Sequence, residues 1–136
     1  VEPADGLRRI GETQYASPLV EWLDDALPEL DAVRARKETF DLVMLTAVWA
    51  HLDHGQRASA LPNLAALLRP GGRLIMSIRH GWTPPTRPTF EAPPDETISQ
   101  AETAGLSLIH RAETDAIQPL NRANGVRWTW LAFQSR

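Results

Sequence analysis

Short runs of consecutive apolar residues mark two strands in this sequence. Leu42–Leu45 follows Asp41 and is apolar at every position, which favours a strand buried on both faces of a parallel sheet. Arg73–Ile78 repeats the pattern after Pro70-Gly71-Gly72, a turn that must end the intervening helix before the second strand. The order strand, helix, glycine turn and strand predicts one right-handed parallel crossover.

The rest of the chain alternates between helical and strand patterns. The helix inside the crossover carries leucines at helical spacing, and Pro62 favours a start near Ser59 or a kink. Gly81–Pro94 contains five prolines and no periodicity, and we expect a loop or lid there. The remaining predictions are helices over Ala4–Gly11, Glu29–Lys37 and Asp95–Ala104, and strands over Leu19–Leu23, Leu106–Arg111 and Val126–Phe133.

Composition narrows the class of protein. The 136 residues suit a single domain, and a formal charge of −3 gives no basic field for nucleic-acid binding. No apolar stretch approaches the roughly 20 residues that cross a bilayer, so no membrane partner is expected. The chain has no cysteine and no secretory signal, which makes a cytoplasmic location the default expectation.

The two strand segments also carry a family resemblance. FDLV at Phe40–Val43, the apolar-His-Leu segment that follows it and LLRPGG at Leu67–Gly72 resemble the class I S-adenosylmethionine-dependent methyltransferases. The resemblance implies an α/β, Rossmann-like, mostly parallel sheet with helices on both faces and a C-terminal antiparallel strand. It places Val1–Pro3 at the end of the family's second strand and Trp22–Pro28 at the end of its third.

The same resemblance implies that part of the family's domain is missing from this sequence. No first strand and no glycine-rich loop precede Val1, so we expect residues 1–136 to form the C-terminal portion of a methyltransferase-like domain, truncated at its N-terminus. The lost strand would leave inner strand edges unpaired, which favours pairing or element exchange with a second copy. A homodimer is therefore one expected form.

The resemblance also assigns candidate residues for binding the cofactor, S-adenosyl-L-methionine. Glu2 would accept hydrogen bonds from the ribose hydroxyls, as a carboxylate at a strand end can do. Asp25 would hold the adenine amino group, with Asp24 as its rival and a solvated turn carboxylate as the simpler interpretation. The other candidates are Ala26 and Leu27, packed on the adenine ring, and Thr46 and Ala47, lining the methionine part.

Two histidines are candidates for the base that removes a proton from the methyl acceptor. His51 lies in the motif after the first buried run, and His80 follows the second. Imidazole suits this role because its unperturbed pKa lies near neutrality. His51 and His54 could instead suggest a metal pair, but no third ligand stands at useful spacing, so no metal is expected. Trp49 could wall the methyl-transfer pocket or belong to the core.

The predicted function is methyl transfer from S-adenosyl-L-methionine to a small-molecule nucleophile. The sequence names neither the acceptor nor its reacting atom. A second hypothesis is a non-catalytic methyltransferase-like fragment or interaction module that self-association stabilises. A dinucleotide-binding oxidoreductase is a weaker third, since it needs the same glycine-rich loop.

Overall fold

Four strands form one mixed sheet in a computed structural model that describes residues 1–136. The strands are β1 (Phe40–Leu45), β2 (Leu68–His80), β3 (Leu106–Asp115) and β4 (Arg127–Ser135). They lie in the order β1-β2-β4-β3, with β1 parallel to β2 and β4 antiparallel to both of its neighbours. The predicted α/β class, the parallel crossover and the final antiparallel strand are confirmed.

The chain also forms five α-helices and one 3-10 helix. They are α1 (Asp5–Gln14), α2 (Asp31–Ala35), the 3-10 helix (Trp49–His51), α3 (His54–Ala66), α4 (Pro94–Thr103) and α5 (Pro119–Ala123). Helices α3 and α4 pack against each other and over one sheet face. Helix α5 reaches the opposite face near its carboxyl end, where Asn121 Oδ1 accepts a hydrogen bond from Arg79.

The hydrophobic core lies between the sheet and the α3–α4 layer. Alternate residues of β2 and their partners on β4 point into it and are fully buried: Leu74, Met76, Ile78, Leu131 and Phe133. This alternation is the period-two pattern of a sheet with one well-covered face. The opposite face is only half-buried, as Ile75, Trp128 and Trp130 show.

The prediction that the first apolar run is buried on both faces is wrong. Leu42 is 47% exposed and Met44 is 57% exposed. The reason is position, because β1 is an edge strand that pairs only with β2, and no helix covers the face that carries these two side chains. A chain segment that reads as fully buried therefore presents apolar surface here.

The predicted strand over Leu19–Leu23 is absent. The segment is extended but joins no ladder, and a single bond from Glu2 N to Leu23 O, 3.0 Å long, ties it to the N-terminal residues. Within this segment, Trp22 packs over Gly11 of α1, where a Cβ would lie 2.2 Å from the indole ring. Gly11 thus lies inside α1 instead of ending it, which corrects the predicted helix boundary.

Helix α3 begins at His54, earlier than the predicted start near Ser59. Asp53 forms a capping box: its carboxylate accepts from Gln56 N at 2.8 Å, and Gln56 Oε1 accepts from Asp53 N at 2.9 Å. This cap satisfies helix N-terminal donors and sets the start, so the helix retains Pro62 in its interior at the loss of one backbone bond.

The turn at residues 70–72 does not precede the second strand, as predicted, but lies within it. Strand β2 already begins at Leu68, which pairs with Phe40, and the next pair is Leu42 with Arg73. The extra residues form an irregularity that the ladder spans. The other predicted elements are present with shifted ends, and α2 is shorter than predicted. The short helix α5 was not predicted.

Candidate functional site

The carboxyl ends of three strands share one edge of the sheet, because β1, β2 and β3 all run in the same direction. Ligands of such sheets bind at this edge. A cavity of about 690 Å³, called the groove below, lies between the N-terminal segments 1–3 and 21–27 and strand β1. A second cavity, of about 260 Å³, lies past the end of β1, against β4 and α5.

Four of the predicted cofactor-binding residues line the groove together. These residues are Glu2, Asp25, Ala26 and Leu27. The bond between Glu2 N and Leu23 O holds their two segments side by side, although they are more than twenty positions apart. The groove therefore combines an apolar lining with two of the carboxylates that the sequence singled out.

Both carboxylates retain capacity to accept further hydrogen bonds. Glu2 Oε1 accepts from Ala4 N at 2.9 Å, and its Oε2 accepts no bond from the protein. Asp25 accepts from Ala26 N through Oδ1 and from Val33 N through Oδ2, each at 2.9 Å. Because an ionised carboxylate has about four acceptor sites, each side chain can still receive N–H or O–H groups of a nucleoside.

Asp24 points away from this arrangement. Its exposed carboxylate forms an ion pair, with Oδ2 3.2 Å from Arg8 Nη2, and Asp24 does not line the groove. Asp25 is the better placed of the two rival residues.

Thr46 and Ala47 line the second cavity rather than the groove. Ala47 adopts a left-handed conformation with φ 59°, uncommon for a residue with a side chain, and its N–H donates to Ser77 Oγ at 2.9 Å. Leu45 and Val48, on either side, line the groove. The end of β1 is therefore the point where the two cavities approach each other.

The two candidate bases, His51 and His80, line neither of these cavities. His51 is exposed, and its Nδ1 lies 3.0 Å from Pro88 O in the segment after β2. His80 Nε2 lies 2.8 Å from Thr129 Oγ1. Burial lowers the pKa of His80, an effect that Glu113 partly opposes, so its neutral form is favoured.

Trp49, whose role the sequence left open, is a core residue. Its side chain is fully buried, and its Nε1 donates to Thr97 Oγ1 at 3.1 Å. His54 Nδ1 contacts Glu96 Oε1, but no group of three or more His, Cys, Asp or Glu residues could hold a metal ion.

Sequence reasoning missed most of the second cavity. Its walls come from Trp128, Trp130, Asn121 and Gln118, which lie far from the recognised motifs. The sequence did contain one signal for this cavity. Trp128 and Trp130 stand at alternate positions of a predicted strand, and alternate residues share a sheet face. The pairing of Ser77 with Trp130, across β2 and β4, completes that wall.

The strand order and the helices define a Rossmann-like α/β domain. A family model for a methyltransferase domain matches residues 8–76, half of the chain. The chain belongs to this methyltransferase family. No curated protein matches it.

Solved methyltransferase structures share the fold at low sequence identity. The N-methyltransferase NodS from Bradyrhizobium japonicum WM9, in complex with S-adenosylhomocysteine, is 19% identical with a TM-score of 0.67, over 95% of this chain and 61% of that one. The 1,6-didemethyltoxoflavin-N1-methyltransferase from Burkholderia thailandensis, with its namesake ligand and S-adenosylhomocysteine, is 18% identical with a TM-score of 0.71, over 99% and 58%.

Magnesium protoporphyrin IX methyltransferase (ChlM) from Synechocystis PCC 6803, with bound SAM, is 14% identical with a TM-score of 0.64, over 98% of this chain and 54% of that one. The chain thus spans little more than half of each of these neighbours. None of its own helices has the length and apolar character needed to cross a membrane.

Proposed function

We propose that this chain is the C-terminal portion of an S-adenosylmethionine-dependent methyltransferase acting on a small-molecule nucleophile. The observation that carries the proposal is the groove, which brings Glu2 and Asp25 to one largely apolar cavity alongside β1. Family membership supports it, as do the S-adenosylhomocysteine bound to NodS and the SAM bound to ChlM.

In this proposal, each groove residue has a role set by its chemistry. Glu2 accepts from the ribose hydroxyls through its free Oε2, and Asp25 accepts from the adenine amino group. Ala26 and Leu27 supply apolar contact for the adenine ring. Thr46 and Ala47 face the methionine portion at the end of β1, where the two cavities approach each other.

When bound, S-adenosylmethionine supplies a methyl group on a sulfonium: the C–S bond breaks with its electron pair going to sulfur, the acceptor forms the new bond, and it loses a proton. The residues of this chain hold the reactants in line and exclude water. His51 or His80 would take the proton, or it would pass to water.

The binding prediction concerns Glu2 and S-adenosylhomocysteine. We expect isothermal titration to detect binding to the chain, and Glu2→Ala to weaken it by about 1–3 kcal/mol because a charge-assisted hydrogen bond is lost. Asp25→Asn should have a smaller effect on affinity, since the amide oxygen still accepts one bond.

Glu38→Ala is the matched control, because Glu38 also lines the groove but precedes β1, at the opposite end of the sheet from the proposed ligand. It removes the same charge and should leave affinity unchanged. Equal affinities for wild type and Glu2→Ala would remove Glu2 from the site. No binding by the wild-type chain would contradict the proposed function for this chain.

A second candidate function is a self-associating module without catalysis. The observation that favours it is the free edge of β1, which has a partner on one side only and carries the exposed Leu42 and Met44. Unpaired strand edges with apolar side chains template pairing with another chain.

For assembly, we expect the chain to form dimers at low micromolar concentration in sedimentation equilibrium, through the β1 edge. Met44→Lys should shift the equilibrium to monomer, because a charge on that strand is costly to bury. Leu19→Lys is the control, as Leu19 is 93% exposed and lies outside the groove. A wild-type monomer, or equal dissociation by both variants, would contradict pairing at β1.

A further inference from the structure

Arg79, at the carboxyl end of β2, is a half-buried cation with no acidic partner. Its Nη2 donates to Trp82 O at 2.7 Å and to Asn121 Oδ1 at 3.2 Å, both of them neutral groups. Arg127 on the neighbouring strand β4 and Arg111 on β3 both form ion pairs, whereas Arg79 forms none. A partly desolvated charge without a counter-charge gains from binding an anion.

The donors of Arg79 are only partly used. Its Nε and Nη1 donate to no protein acceptor, while Nη2 holds the guanidinium in place. The ring of Trp128 lies 5.6 Å from the guanidinium carbon, which restrains the group on its other side. The result is a positioned guanidinium with free N–H groups, the arrangement that binds a carboxylate through two parallel hydrogen bonds.

A second cation strengthens the positive potential. Burial is the main cause that lowers the pKa of Arg79, and repulsion from the charge of Arg87 lowers it further. Arg87 lies in the segment after β2, in a turn closed by its N–H to Pro84 O at 2.9 Å, and it forms no ion pair either. An anion bound at Arg79 would relieve this repulsion.

Arg79 and Arg87 do not themselves line the second cavity, but two residues that contact Arg79 do. These are Trp128 and Asn121, so Arg79 lies just outside the cavity wall, and Ala47 is another of the lining residues. Asp115 is the one acid in its lining, and it lies 3.6 Å from Arg127 in an ion pair of its own. A volume of about 260 Å³ with two indole rings suits a small flat molecule.

We infer that the second cavity binds the methyl acceptor, and that this acceptor is a small planar molecule bearing a carboxylate. Arg79 binds the carboxylate, Arg87 adds long-range attraction, and Trp128 contacts the flat apolar part. The inference deepens the proposed function and rests on it for the word acceptor, since Thr46 and Ala47 join this cavity to the proposed cofactor site.

The test uses benzoate and benzamide as probes, because they share shape and differ in charge. Both are titrated into the chain by isothermal calorimetry and by tryptophan fluorescence, to which Trp128 and Trp130 contribute two of the five tryptophans. We expect benzoate to bind more tightly than benzamide, and Arg79→Gln to weaken benzoate binding about tenfold or more while leaving benzamide unchanged. Arg79→Lys keeps the charge and should lose part of this effect.

Arg73→Gln is the matched control, since Arg73 lies on the same strand and the same face but at the opposite end. It should leave benzoate affinity unchanged. Equal affinities for benzoate and benzamide, or equal losses in Arg73→Gln and Arg79→Gln, would overturn the inference. If circular dichroism shows that Arg79→Gln is unfolded, the benzoate affinities of wild type, Arg79→Lys and Arg73→Gln are compared instead. A loss in Arg79→Lys but not in Arg73→Gln then supports the inference, and equal affinities overturn it.

A parallel titration with S-adenosylhomocysteine separates the two proposals. We expect Arg79→Gln to leave that affinity unchanged, because Arg79 does not line the groove. Binding of S-adenosylhomocysteine without a preference for benzoate overturns the acceptor site and leaves the proposed function standing. A benzoate preference without S-adenosylhomocysteine binding supports the anion site while contradicting the proposed function.

Discussion

Replacing Trp49 with alanine is expected to lower the free energy of unfolding by about 3–5 kcal/mol, the range for deleting a large buried aromatic side chain. Trp49 is 0% exposed and belongs to the main hydrophobic cluster. Its 3-10 helix packs against β2, so the cavity left behind would open beneath the sheet. The surrounding strands are held by their ladders and cannot collapse into that space.

The hydrogen bond from Trp49 Nε1 to Thr97 Oγ1 contributes a smaller part. Trp49→Phe keeps most of the ring and removes this donor, and should cost about 1 kcal/mol from the lost hydrogen bond together with a small packing loss. Thr97 Oγ1 also lies 3.3 Å from Pro93 O and can donate to it, so the hydroxyl would not lose every partner.

Urea denaturation of the wild type, Trp49→Ala and Trp49→Phe measures the losses of stability from the whole side chain and from its hydrogen bond. Trp82→Ala is the control, because Trp82 is 41% exposed and its loss should change stability by much less. A loss below about 1 kcal/mol for Trp49→Ala would contradict its assignment to the core.

If His51 is the base that takes the acceptor's proton, replacing it with glutamine is expected to lower the turnover rate by about 100-fold or more, with S-adenosylhomocysteine affinity unchanged. His51 Nδ1 lies 3.0 Å from Pro88 O, and a carbonyl oxygen can only accept. The neutral ring therefore carries its proton on Nδ1, which leaves the Nε2 lone pair free to take a proton from an acceptor.

His80 is the comparison for this prediction. Its Nε2 is engaged with Thr129 Oγ1, on the sheet face that the core covers, so His80→Gln should change turnover little. The measurement is S-adenosylhomocysteine formation with an aromatic amino-carboxylate such as anthranilate as acceptor. Normal rates for both variants between about pH 6 and about pH 9 would assign proton removal to water or to the substrate itself.

Local sequence patterns determined much of the fold. The apolar runs and the Pro70-Gly71-Gly72 turn predicted the crossover, because periodicity and backbone restrictions are properties of a few neighbouring residues. Glycines with positive φ also stand just before two strands: Gly105, with φ 87°, precedes β3, and Gly125, with φ 68°, precedes β4. The family resemblance, carried by the same motifs, named Glu2 and Asp25.

Burial and strand pairing were decided by the tertiary structure. Leu42 and Met44 look like core residues, yet they are exposed because β1 lies at the sheet edge without a covering helix. Leu19–Leu23 looks like a strand but has no partner along its length, and a strand exists only through its ladder.

The two cavities show the same division between what the sequence determined and what the tertiary structure decided. The sequence by itself determined which residues have suitable chemistry, such as the carboxylates of Glu2 and Asp25. Only the tertiary structure decided that these two share a groove, that Thr46 and Ala47 face a separate cavity, and that Arg79 has no acidic partner. Proximity between residues distant along the chain depends on the packing of the whole sheet, which no local pattern encodes.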